Sequence, residues 1–203
     1  MHADVVAIQE ASPAHFESLS RLLPHGDFEP GERNTGVGIA LRHAAAPGRL
    51  PLVWRDAIVA RLEPADWPGL EKPLRIMTVH IAAPHVYLPP GWGLLLRRRQ
   101  VRMLEPHLNG EDPTVLVGDF NATPRWPAYR RIVSCMSDAA IGAAQVQGKQ
   151  LEPTWGPRVG GRRLLRIDHA FAHGVRPHDF HVAPIEGSDH AAIVLDLAGC
   201  DGR

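Results

Sequence analysis

The sequence predicts a layered α/β protein, with two packed β-sheets and helices outside them. Three observations lead there. Short apolar runs of strand length recur along all 203 residues. Helical spacing occupies only a few stretches between them. In the second half the gaps between strands are mostly of hairpin length, whereas a simple βαβ winding needs a helix after nearly every strand. The length suits one well-filled domain, and no internal repeat or linker divides it.

The elements follow in order. Val5 to Ile8 reads as a strand that ends in Gln9 and Glu10. Pro13 to Leu23 has helical spacing (Phe16, Leu19, Leu22, Leu23), and Pro24, Gly26 and Pro30 stop it. Gly36 to Arg42 and Ala57 to Leu62 read as strands, and the Ala/Pro/Gly-rich stretch from Ala44 to Pro51 as loop. Leu74 to His80 is mostly apolar, as a strand covered on both faces would be. Pro84 to Gly93 is loop, and Leu94 to Leu108 a helix burying Leu95, Val101, Leu104 and Leu108. Thr114 opens the most telling strand, which breaks off in Gly118-Asp119-Phe120-Asn121. A short helix over Pro127 to Cys135 and a Gly/Gln-rich connection to Gln150 come next. Arg166 to Ala172, Asp179 to Val182 and Ala191 to Leu197 close the chain as strands.

Composition excludes more than it proposes. Hydrophobic residues make up 44% and charged residues 22%, and Lys+Arg equals Asp+Glu at 22 each. A neutral chain does not announce a nucleic-acid or membrane partner, although a local basic face remains open. Cys135 and Cys200 are too few for a disulfide framework and lack metal-type spacing. With no stretch of membrane-span length and no leader-like start, the chain reads as soluble and, by default, cytoplasmic. A segment upstream of Met1 would reopen secretion or membrane anchoring.

Five strand ends carry polar side chains: Gln9-Glu10, His80, Asp119 with Asn121, Asp168-His169, and Ser188-Asp189-His190. Asp119 and Asn121 are two apart, so an extended backbone points both to one side while Phe120 turns into the core. A carboxylate and a carboxamide together suit a hard cation and the oxygens of a phosphate. Each cluster alone has a plain explanation as a turn, a cap or a satisfied buried histidine. Five at strand ends, where rigid scaffolds present catalytic groups, point instead to one site.

These motifs resemble those of the endonuclease/exonuclease/phosphatase family, metal-dependent phosphoesterases related to DNase I, apurinic endonucleases and neutral sphingomyelinases. The likeness runs in order from about Val5 to Leu197. It implies a four-layer α/β sandwich of two mainly antiparallel sheets flanked by helices. It also implies that Glu10 ligates a divalent cation, Mg²⁺ with Mn²⁺ as the substitute, and that Asp189 is a second ligand. Asp119 and Asn121 would position phosphate and water, His190 would be the general base oriented by Asp168, and His80 would face the phosphate. A histidine near its free pKa suits that base role. The front departs from the family pattern, which has an earlier strand ending in an Asn of the metal site. Here Met1 to Ala3 leave no room for it, so an unpaired edge and an incomplete ligand set are expected.

Substrate is less legible. Arg97, Arg98, Arg99 and Arg102 on one helix, or Arg158, Arg162, Arg163 and Arg166 before the Asp168 strand, would track a nucleic-acid backbone or simply meet solvent. Trp92, Trp126 and Trp155 would stack on a base, meet lipid or cover the core. A nuclease is the leading expectation, ahead of a phosphomonoesterase or a sphingomyelinase-like lipid phosphodiesterase, and a monomer is expected. The other class is a binding protein whose site has decayed. A zinc site from His169, His173, His178 and His181 lacks an aligning helix. Neither a Gly-x-Ser-x-Gly elbow nor a Gly-Lys-Ser/Thr phosphate loop is present.

Overall fold

Apolar runs with β-branched residues form the strands, and their pairing makes three sheets. The structure, a computed structural model, describes residues 3–31, 35–84, 89–157 and 162–197. Arg158 and Cys200, weighed above, lie outside the described residues. The strands are β1 (Val5–Gln9), β2 (His25–Glu29), β3 (Val37–Leu41), β4 (Ala46–Leu50), β5 (Ala57–Leu62), β6 (Leu74–His80), β7 (Thr114–Asp119), β8 (Ser137–Asp138), β9 (Asp168–His173), β10 (Pro177–Pro184) and β11 (Ala191–Leu197). The helices are α1 (Pro13–Ser20), α2 (Trp92–Leu104), α3 (Pro127–Val133) and α4 (Ala139–Gln147).

A six-stranded sheet in the order β4-β5-β6-β7-β9-β8 is the base, and only its β6–β7 pair is parallel. A three-stranded sheet, β1-β3-β2, and the β10–β11 hairpin lie over one face of it. Between them Val37, Ile39 and Leu41 of β3 meet Ile58, Ala60 and Leu62 of β5, Ile76 of β6 and Val115 of β7. The opposite face of the base sheet buries Met77, Val79, Leu116 and Phe171 against Val101 and Leu104 of α2 and Tyr129 and Ile132 of α3. On the outer side of the small sheet, Phe16 of α1 stacks on Phe28 of β2 at 4.8 Å. The α/β sandwich of mainly antiparallel sheets is therefore present. The outer edges of β1 and β11 pair with no strand among the described residues.

Several expectations need correction. Ala46–Leu50, read as loop, is an edge strand paired with β5, a position where Pro47 removes no needed ladder donor. His25–Glu29 was obscured by Gly26, yet that glycine allows the pairing, since a Cβ there would lie 1.9 Å from the Ile39 carbonyl oxygen. The Gly/Gln-rich connection contains α4, capped by Asp138 and ended by Gly148 in the left-handed conformation. Of the stripe expected on α2, Val101, Leu104 and Leu108 are buried, but Leu95 is 62% exposed and Leu96 points inward in its place. Leu22, placed in the buried spacing of the first helix, is 76% exposed and lies beyond its end.

Candidate active site

Register brings the site together. His80 pairs with Asp119 in the parallel ladder, and Asp119 pairs with Asp168 in the antiparallel one. The three thus form a row across β6, β7 and β9, on the face turned toward the smaller sheets. Gly118 makes the close spacing feasible, because with φ +144 a Cβ there would sit 2.0 Å from the Val79 carbonyl oxygen. Phe120 turns into the core, as expected, and meets Phe171 edge to face.

Asp119 and Asn121 do lie together, but not as alternate residues of an extended strand. The strand ends at Asp119, and Asn121 takes a left-handed backbone with φ 48. Its backbone N–H donates to Asp119 Oδ1 at 2.7 Å, and its Nδ2 donates to Asp119 Oδ2 at 2.7 Å and to the Ile81 carbonyl at 3.1 Å. This is an Asx turn, which Asn tolerates better than most residues. Glu10 is also left-handed, with φ 56. Two of the three non-glycine positive-φ residues among those described are therefore at this site, where strained backbone tends to collect.

Glu10 reaches the row from β1. Its Oε1 is 4.0 Å from His80 Nε2, which is itself 3.5 Å from Asp119 Oδ2. Gln9 fixes that strand end by donating to Thr78 Oγ1 at 2.8 Å. His190 closes the site from the other side, its Nδ1 donating to Asp168 Oδ1 and Oδ2 at 3.1 and 3.0 Å. Ser188 Oγ accepts the His190 backbone N–H at 3.1 Å and so shapes the turn. Asp189 sits beside this turn, its Oδ2 accepting from Trp155 Nε1 at 3.2 Å.

Charge is unbalanced here. Burial raises the Asp119 carboxyl, and the nearby charges of Asp168 and Glu10 raise it further. Burial lowers His80 to about 3, assisted by the charges of Arg55 and His190, so its imidazole is neutral. His190 departs from the expectation of a near-free pKa. Burial acts to lower it, but its hydrogen bond to Asp168 and the charges of Asp168, Asp119 and Asp189 prevail, raising it to about 9. Among the described residues, the one group of three or more His, Cys, Asp or Glu ligand atoms close enough to share an ion is Asp119, Asp168 and His190. The zinc reading gains nothing from this group: His169 is fully buried, with Nε2 donating to the Ala122 carbonyl at 2.8 Å.

Three supporting residues escaped the sequence reading. Thr154, fully buried, accepts the backbone N–H groups of Ile167 and Asp168 at 3.1 Å through its Oγ1. Gln100 accepts from Ala82 N at 2.9 Å and donates to the Val53 carbonyl at 3.0 Å. Arg97, expected on a solvated face, is only 2% exposed. It donates to the Ala82 carbonyl at 3.1 Å and lies 4.7 Å over the Trp126 ring, tying the loops after β6 and β7. Arg166 is buried too, 2.8 Å from Asp138 Oδ2, and so does not face a backbone substrate.

The buried His169 makes a pH prediction. Burial first, then the Arg166 charge, lowers it to about 4 from 6.5. As pH falls below 6.5 the unfolded chain takes up a proton that the folded chain refuses. Stability held above that value is expected to fall by up to about 3 kcal/mol on approaching pH 4. His80 acts in the same direction. Urea denaturation at neutral pH and near pH 4 checks this, and an acid loss smaller in His169→Asn than in the parent would assign the difference to His169.

A mainly antiparallel sandwich with acids and histidines gathered at the mouth between its sheets defines a phosphoester hydrolase class with a DNase I-like fold. The chain belongs to the Endonuclease/Exonuclease/phosphatase family, whose model matches residues 1–190. Solved structures share the fold. The 3′-5′ exonuclease NExo from Neisseria meningitidis superposes with a TM-score of 0.70 at 18% identity, over 96% of this chain and 89% of that one. A Neisseria 3′ phosphatase NExo bound to a product DNA hairpin gives 0.69 at 18%, over 96% and 88%. An AP endonuclease from Archaeoglobus fulgidus gives 0.70 at 16%, over 96% and 88%. No curated protein sequence matches the chain. No helix among the described residues is long and apolar enough to cross a membrane.

Proposed function

We propose that the chain is a divalent-metal-dependent phosphodiesterase acting on nucleic acid. The observation that carries this is the meeting of Glu10, His80, Asp119, Asn121, Asp168 and His190 at one sheet end. The donor set fits a hard cation. It offers the carboxylate oxygens of Glu10, Asp119 and Asp168, and the Asp119 carboxyl, raised first by burial and then by the charges of Asp168 and Glu10, sits where a cation would favour its ionised form. Glu10 would hold Mg²⁺, or Mn²⁺ in its place, with Asp189 as second ligand. Bound there, the ion would polarise the phosphoryl oxygen and stabilise the charge that develops on it.

The chain's own groups do the rest. Asp168 holds His190 through Nδ1, and in the neutral ring, the minority form below pH 9, Nε2 takes the proton of the attacking water as its oxygen bonds phosphorus and the ester P–O bond breaks, so turnover is expected to rise with pH toward 9. Neutral His80 orients rather than charges the phosphate, and Asn121 with Asp119 positions it. That Neisseria NExo is bound to a DNA hairpin product supports a nucleic-acid substrate for a chain of the same fold.

Hydrolysis of plasmid DNA, bis(p-nitrophenyl) phosphate and sphingomyelin, each with Mg²⁺, with Mn²⁺ and with a chelator, tests the reading. DNA cleavage that the chelator abolishes and added Mg²⁺ restores is expected. Chelator-resistant cleavage would remove the metal. Cleavage of the generic diester or of sphingomyelin without DNA would remove the nuclease.

A further inference from the structure

The outer face of α2 is unusual in what it leaves in water. Gly93, Leu96, Arg97, Gln100, Val101 and Leu104 turn inward. At 3.6 residues per turn, the remaining side chains fall on the opposite arc of about 180°. They are Trp92, Leu94, Leu95 and Met103, with Arg98, Arg99 and Arg102 among them. Trp92 is 45% exposed, Leu94 50%, Leu95 62% and Met103 36%. The three arginines are exposed as well, and among the described residues no acid pairs with them. No acid occurs within α2, and Glu105, just beyond it, is taken by Arg131.

We infer that this face docks on an anionic lipid bilayer, with the helix lying in the headgroup plane. A nucleic-acid backbone would use the arginines, but it would leave the interleaved apolar side chains facing a hydrated polyanion. A headgroup layer uses both kinds: the guanidinium groups meet lipid phosphates while Trp92, Leu94 and Leu95 reach the acyl boundary. The apolar end is also the end nearest the site, since Gly93 packs directly on the Ala83 and Pro84 carbonyls of the segment leaving His80. The inference goes beyond the proposed chemistry and rests on α2 alone, whether the diester cut is in a nucleic acid or a lipid.

The test is co-sedimentation of the full chain with vesicles of phosphatidylcholine alone and of phosphatidylcholine mixed with phosphatidylglycerol, at low and high salt. Binding to the mixed vesicles only, weakened by salt, is expected. Replacing Arg98, Arg99 and Arg102 together by Gln is expected to weaken it about a hundredfold. Leu94→Ser with Leu95→Ser is expected to weaken it about tenfold or more. No binding to the anionic vesicles overturns the inference. So does vesicle binding untouched by the leucine pair. Duplex DNA binding that fails in the arginine variant, in a chain that ignores vesicles, would assign the face to nucleic acid instead. Hydrolysis of soluble bis(p-nitrophenyl) phosphate by each variant is expected to be unchanged. Failure of the proposed chemistry would appear in that assay and leave the vesicle result standing.

Discussion

Replacing His190 by alanine is expected to lower kcat for phosphodiester hydrolysis about 10³-fold, within the range for loss of a positioned general base. The geometry sets this size. Asp168 accepts His190 Nδ1–H through both oxygens, so the opposite ring nitrogen is fixed in direction. Removing the ring leaves the attacking water without the acceptor that the neutral form of His190 supplies, so the loss is expected to be largest near pH 9, where that form becomes the major one. A second signature separates this from general damage to the fold. His190 is raised to about 9 by surrounding acids, so in chelator-treated protein its proton is itself stabilising. That stabilisation, up to about 3 kcal/mol, is fully present below the unfolded value of 6.5 and is lost as pH rises through about 9. The alanine variant should accordingly be less stable than the parent at neutral pH and converge with it in alkali. Kinetics of the metal-loaded protein and urea denaturation of the metal-free protein read the two effects. Turnover within threefold of the parent would mean that His190 is not the proton acceptor.

The same residues explain why the site was legible and its supports were not. His80 and Asp119 each stop an apolar run and Asp168 opens one, and a pattern of that kind survives in one dimension. Register alone then lines them up. What the pattern cannot carry is a polar group turned inward. Arg97 and Gln100 occupy inward positions of α2 because loop backbone groups at Ala82 and Val53 need partners, so the first turns carry no aliphatic stripe and Leu95 was taken for the inward residue where Leu96 is. Likewise α4 shows no amphipathic signal. Ala139, Ala140 and Ala143 lie against Phe180 and Ala170, and small residues allow that approach without announcing it. The pKa of His190 was misjudged for a related reason: the acids that raise it come from β7, β9 and its own turn, distances that sequence does not measure.

Asp138→Ala is expected to cost about 3–5 kcal/mol, the loss found when one partner of a buried ion pair is removed. Its two oxygens serve three structures at once. Oδ2 accepts the Tyr129 hydroxyl at 2.6 Å and faces Arg166 Nη1 at 2.8 Å, while Oδ1 accepts the N–H groups of Ala140 and Ile141 at the start of α4. Burial and this hydrogen bond raise Tyr129 to about 12, so the phenol donates throughout the working range. Removing the carboxylate strands the Arg166 charge in the interior, with only neutral Tyr129 beside it, the hydroxyl 3.5 Å from Nη2 and the ring 5.8 Å away. Asp138→Asn should cost less, because it can keep the α4 cap. Arg166→Met added to Asp138→Ala should recover part of the loss, since no charge is then buried alone. Activity should follow stability for a structural reason: His169, 3.9 Å from the same Oδ2, holds the Ala122 carbonyl and with it the turn that presents Asn121. Urea denaturation of the two singles and the double measures the coupling. A strictly additive cycle would show that Arg166 does not depend on Asp138, and that the turn behind Asn121 is held by something else.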